Sequence, residues 1–341
     1  METPFTLRRT LTLAALVLVA CGESAPPADG GSTTPDARPP DPTAPPPSAG
    51  HDLVYHDAVG AVLLVNAGLG GHNDAQMTGQ PTRLWRWDGT RWSLLDSAGP
   101  PVRNLGGVAY DARRDKLILH GGTFSAALSY GDTWEWDRQG GWRRFEVPGP
   151  GTRDHTQMTY DADRGVVVLF GGQASLASFP GGTWEWDGAH WTEVATVGPS
   201  PRVHHAMTYE LASRRTVIFA GAASGSIPLG DTWAWDGRAW TELTSGATAA
   251  RTHARLAFHE QLGRLLLIGG MDMQGLARNY LGWDGSTWRS ESFAQPPPRY
   301  LTGVAYDRNR QRLVMFGGGT TGDELLADTW EFDGVTWARA P

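Results

Sequence analysis

Arginine recurs at positions 103, 153, 202, 251 and 299, at intervals of 50, 49, 49 and 48 residues. Three of the five are followed two residues later by histidine: His155, His204 and His253. Guanidinium groups recognise carboxylates, phosphates and acidic sugars through paired charged hydrogen bonds. Imidazole adds acid–base chemistry near neutral pH. Residues two apart on a strand share a side, so Arg153, His155, Arg202, His204, Arg251 and His253 form a candidate site for an anionic or polar ligand. A metal centre would need the three imidazoles to converge on one ion. Equivalent positions around a ring point past each other as readily as they converge, so no metal and no other cofactor is expected. The competing structural reading makes the arginines ties for loops. Their natural partner is an aspartate opening a later strand: Asp132, Asp231 and Asp328. Gly182 and Asn279 stand at that place in two copies and leave Arg153 and Arg251 without it.

The elements that must hold these residues follow from the same repeat. Seven residues after each arginine stands an aromatic: Tyr110, Tyr160, Tyr209, Phe258 or Tyr306. Eleven residues further lies a pair of small residues, Gly121-Gly122, Gly171-Gly172, Ala220-Gly221, Gly269-Gly270 or Gly317-Gly318, and then a segment such as "GDTWEWD". A more divergent copy begins near Ser48, with Tyr55, Asn66-Ala67, Trp85, Trp87 and Trp92, making six. All 16 tryptophans fall on repeat positions, which leaves none for a separate site. Each copy reads as four short strands, for example "RDHTQMTY", "VVVLFGG", "TWEWD" and "WTEV", with Asp-Gly turns between the third and fourth. A single four-stranded unit cannot bury both apolar faces. Six units around an axis can, because each packs on the next.

In its diglycine ending the second strand, the aromatic before it and the tryptophan about twenty residues after, the pattern resembles the kelch family over about residues 51–341. The resemblance implies an all-β, six-bladed kelch-type β-propeller with four antiparallel strands per blade. Every copy begins with strand one, so closure is expected by contact of blade 6 with blade 1. The WD dipeptides do not fit a WD40 repeat, whose period is shorter. Enzymes among the galactose-oxidase relatives need a Tyr–Cys cross-link at copper, and the propeller region holds no cysteine. Sialic-acid epimerases share six kelch blades, a likeness at the level of fold alone.

The one cysteine, Cys21, closes a different pattern. Arg8 and Arg9 precede an apolar run from Leu11 to Ala20, long enough for a signal-peptide core and too short for a permanent span. The run ends Leu18-Val19-Ala20-Cys21, which resembles a bacterial lipobox. Residues 1–20 are then expected as a leader and Cys21 as the lipidated first residue, with Gly22 after it favouring the outer membrane or cell surface. Residues 21–50 are rich in Pro, Ser and Ala and lack aromatics, as in a disordered tether. The net charge is −7 with no basic block, so nucleic acid is excluded as an expected partner. No GxSxG, HExxH or phosphate-loop motif is present. Two readings remain. One is a monomeric, lipid-anchored module that binds a protein or glycan on the face carrying the longer two-to-three loops. The other is an extracytoplasmic enzyme on an acidic sugar, epimerase-like, using the Arg/His set of blades 3–5. No catalytic set stands out, which favours the first.

Overall fold

The computed structural model describes residues 44–65, 80–125, 128–175, 178–223, 227–245, 250–322 and 324–341. The expected leader, Cys21, most of the expected tether, Asn66-Ala67 and most of the first long loop lie outside the described residues. Six four-stranded antiparallel sheets follow one another along the chain, each in sequence order from inner to outer strand. The inner strands are Asp52–His56, Gly107–Asp111, Gln157–Asp161, Ala206–Glu210, Arg255–His259 and Gly303–Asp307. They surround the axis of a six-bladed β-propeller. Two small ribbons decorate it: Thr123–Ser125 with Leu128–Ser129, and Met271–Asp272 with Gly275–Leu276. The strands Arg312–Gly319 and Leu325–Phe332 of blade 6 run on past their neighbours' length to pair at Gly319 and Leu325.

The core is divided into wedges between blades, as the period-two pattern of the strands requires. In blade 2, Leu117 and Leu119 pack towards Leu63, Val65 and Leu84 of blade 1. Ile118, one residue between them, packs instead with Met158, Leu169 and Trp186 of blade 3. The same arrangement fills the other seams, including the closing one, where Trp85, Trp87 and Trp92 meet Val314 and Phe316 of blade 6. Among the described residues no strand is exchanged in closing the ring. The seam already begins at Ser48 and Gly50, whose amides donate to Leu326 and Leu301 of blade 6.

The segment "GDTWEWD" is a set of connectors. Its aspartate takes the arginine of its own blade and the indole of the first tryptophan: Trp134, Trp233 and Trp330 each donate to it at 2.7 Å. Its threonine accepts from the last tryptophan of the following blade, as in Trp191 to Thr133 at 2.8 Å and Trp92 to Thr329 at 2.9 Å. Its glutamate accepts from the second tryptophan of the following blade: Trp186 to Glu135, Trp235 to Glu185, Trp87 to Glu331. Where a connector is missing, the indole finds another acceptor, as Trp136 does in Asp96 at 2.8 Å, or is left over. Trp142 faces a blade with Leu84 in place of threonine, and Trp283 one with Ala234 in place of glutamate. Both have buried N–H groups without a partner among the described residues.

Candidate functional site

The repeating arginine is a structural strut. In each of the five copies its Nη1 donates to the carbonyl of the first residue of the small pair 18 positions on, at 2.9 to 3.4 Å. Arg202 completes a two-pronged pair with Asp231, both contacts at 2.7 Å, and Arg103 and Arg299 do the same with Asp132 and Asp328. The arginine carbonyl in turn accepts from the second glycine of the preceding blade, as in Gly122 to Arg153 and Gly172 to Arg202, both 2.9 Å. That contact explains the diglycine. Gly121 and Gly122 have φ of 70° and 95°, and a Cβ on either would collide with a backbone carbonyl. At the closing seam Gly318 donates to the carbonyl of Ser48, so blade 1 keeps the backbone contact without the arginine.

Arg153 and Arg251 do lack the aspartate, yet both are buried and neither points to a ligand surface. Arg153 turns Nε and Nη2 to the carbonyl of Pro150, at 3.2 and 2.9 Å. Arg251 takes the backbone and side-chain oxygens of Asn279, at 2.8 and 2.9 Å. Without a carboxylate against them, burial draws both guanidiniums down to about 10. The structure therefore separates the six candidates. Arg153, Arg202 and Arg251 lie inside the blades, and the histidines lie at the axis.

His155, His204 and His253 occupy one position of a ring completed by Gly50, Leu105 and Leu301. All six have positive φ, from 51° to 73°. For the five side-chain-bearing members this is a left-handed conformation that costs of order 1 kcal/mol each. It is held by backbone bonds running from blade to blade: Leu105 to Gly50, His253 to His204, Leu301 to His253 and Gly50 to Leu301, between 2.8 and 3.0 Å. The chain thus turns inward at the axis, and the imidazoles meet. His155 lies edge-on to His204 with ring centres 4.3 Å apart, and His204 stacks on His253 at 3.7 Å. Tyr300 lies edge-on beyond His253 at 6.0 Å. His155 Nδ1 is bonded to Asp154 at 2.5 Å and His253 Nδ1 to Thr252 at 2.9 Å. Burial, then the neighbouring imidazoles, holds His204 far below its ordinary value, and His253 is pushed down to about 3. Rings stacked and edge-on to one another do not converge on one point. Among the described residues no group of three candidate ligands could hold a metal ion.

Around this centre stand the longer loops. Each is tied to the lead-in of its own inner strand by a short bridge: Asn104 with Thr123, Asp154 with Gln173, Val203 with Ala222, Thr252 with Met271, Tyr300 with Gly319. Among the described residues, three of the loops carry exposed apolar tips: Leu128 at 46%, Ile227 at 69% and Met273 at 64% exposure. The opposite face is built of short turns whose aspartates are spent locally. Asp111, for example, accepts from the amides of Arg113 and Arg114 and pairs with the Arg114 side chain. Two sequence signals were missed. His51 of blade 1 stands in register with His205 and bonds the carbonyl of Phe316 across the closing seam, at 3.0 Å. Arg255, four residues after the repeating arginine, reaches Asp52 of blade 1.

The solved structure of YjhT superposes on this fold with a TM-score of 0.67, covering 88% of this chain and 99% of that one at 12% identity. The likeness is one of fold. Among curated proteins, dynein regulatory complex subunit 7 of Chlamydomonas reinhardtii is 37% identical over 88 residues. That match takes in 23% of this chain and 8% of that protein. No family model matches the chain.

Proposed function

We propose that this chain is a kelch-type propeller, exported as a lipoprotein through Cys21, that binds a protein or glycan partner on its long-loop face. The observation that carries the reading is the placement of Leu128, Ile227 and Met273 on loops of that face, around an axial centre of His155, His204, His253 and Tyr300. Apolar tips around a polar centre suit docking of an extended surface. The arginines serve this face from beneath, by fixing the diglycine carbonyls and hence the roots of the loops. The acidic-sugar reading loses support, because Arg153, Arg202 and Arg251 have their hydrogen bonds inside the blades.

Photo-crosslinking in the producing cell tests the reading even with the partner unidentified. A photoreactive residue at 128, 227 or 273 should give adducts of one defined size. The same residue at Leu211 or Val335, exposed on the turn face, should give none. Adducts from the turn face alone would reject the proposal. Export is tested by metabolic labelling with a fatty-acid probe, which Cys21→Ala should abolish.

A further inference from the structure

A groove of about 490 Å³ opens at the border of blades 5 and 6, lined by Arg278, Phe293, Gln295, Pro296, Pro297 and Pro298. Arg278 ends the blade 5 loop that carries Met273, and the prolines lead into the inner strand of blade 6, so the groove lies on the long-loop face. Both walls are held by the repeating arginines. The Ala277 amide donates to Gly270 at 2.9 Å, and the Asn279 carbonyl accepts from Arg251 at 2.8 Å, so Arg278 stands between two pinned residues. Arg299 holds the carbonyl of Pro297 at 3.2 Å. Phe293 rests on Phe332 with ring centres 4.5 Å apart. Gln295 is held through Oε1, which accepts from the Tyr280 amide at 3.0 Å. Three consecutive prolines have fixed φ and little freedom to lose on contact.

The groove offers two kinds of contact. Phe293 and the proline rings are apolar. The polar side-chain groups are donors: the exposed guanidinium of Arg278 and Nε2 of Gln295, neither with a partner among the described residues. Exposed arginines of the turn face differ, since Arg138, Arg214 and Arg308 pair with Asp115, Asp163 and Glu260. Arg278 is thus an uncompensated positive charge beside an apolar shelf, complementary to a carboxylate that stands next to an apolar side chain. A peptide supplies both, and one of its backbone carbonyls can accept from the Gln295 amide. A sugar would set hydroxyl groups against proline and phenylalanine, where they find no partners.

We propose that this groove binds an acidic peptide segment of the partner, with a carboxylate of the segment on Arg278 and an adjacent apolar side chain on Phe293 and the prolines. The volume equals roughly sixteen waters at ~30 Å³ each, enough for a short extended stretch. The assignment rests on the docking reading and adds to it the chemistry of the partner.

The test is titration of the full chain with acetyl-Leu-Asp-Leu-amide, and with acetyl-Leu-Asn-Leu-amide as its uncharged match, followed by calorimetry and saturation-transfer NMR. The acidic peptide should bind at one saturable site, at least threefold more tightly than the neutral one. Arg278→Gln should abolish that preference, while Arg238→Gln, exposed on the turn face, should leave it intact. Both variants change exposed side chains, and equal urea midpoints show that folding is unaffected. Glucuronate, which carries its carboxylate on a sugar, should bind more weakly than the acidic peptide. These titrations need no cellular partner, so the photo-crosslinks from positions 128, 227 and 273 judge the docking reading separately. Equal binding of the two peptides, a preference that survives in Arg278→Gln, tighter binding of glucuronate, or no saturable binding at millimolar peptide would each overturn the assignment.

Discussion

Lowering the pH from 7 to 4.5 should remove most of this protein's stability, and the loss should be carried by a few buried histidines. His51, His120 and His205 are fully buried. Desolvation, with Arg255, Arg153 and Arg202 respectively as the next contributor, pushes them down from 6.5 to about 3, 4 and 3. A histidine whose folded value is depressed binds its proton mainly in the unfolded chain. Its contribution is whole above pH 6.5 and is lost as the pH falls towards the folded value. At pH 4.5 each of the three has lost about 2.5 kcal/mol, or about 7.5 together. Asp52 works the other way. Its folded value of about 6 exceeds the ordinary 3.8, so its charge costs stability at neutral pH, and acidification returns about 2 kcal/mol. For these four groups the balance is a loss of about 5.5 kcal/mol, comparable with the whole stability of many domains, and His253, held down to about 3, acts in the same direction. Urea unfolding followed by tryptophan fluorescence at pH 7, 6, 5 and 4.5 reads it directly. His205 offers the sharpest control, because neither ring nitrogen has a hydrogen-bond partner among the described residues. His205→Leu should be neutral or stabilising at pH 7 and reduce the loss between pH 7 and 4.5 by about 2.5 kcal/mol. A free energy that is flat from pH 7 to 4.5, or the same slope in His205→Leu, would refute the reasoning.

Further predictions concern the connectors between blades. Glu331→Ala removes the acceptor of both Trp87 and Arg310 at the closing seam and should cost about 2–3 kcal/mol in urea unfolding. Asn279→Asp gives Arg251 a carboxylate in place of an amide oxygen and should raise stability by about 1 kcal/mol, read as a higher Tm at pH 7. Gly182→Asp places the same group opposite Arg153 in blade 3, and there it should destabilise. Gly182 has φ of 83°, and a side chain would collide with Glu193, so Tm should fall.

The repeat made the fold legible because each of its letters has a partner at a fixed distance in the chain or in the next blade. The Arg–Asp pairs of blades 2, 4 and 6 form as the spacing implies, and the glutamates between the tryptophans accept from the indoles of the following blade. The fate of Arg153 and Arg251 was not legible. Absence of aspartate says nothing about carbonyl oxygens, and Pro150 and Asn279 supply those through backbone geometry that no motif encodes. The histidines could be placed on one side of a strand, but not in a left-handed turn that stacks them at the axis. Arg255 and Asp52 escaped notice because they break the repeat. Each occurs once, and they meet only when blade 5 and blade 1 face the same channel.

The central claim is that the long-loop face is the surface that meets a partner. Site-specific photo-crosslinking in the producing cell, comparing Met273 on that face with Val335 on the other, tests it most directly. The account predicts a discrete adduct from position 273 and none from position 335. Adducts from position 335 with none from position 273 would contradict it.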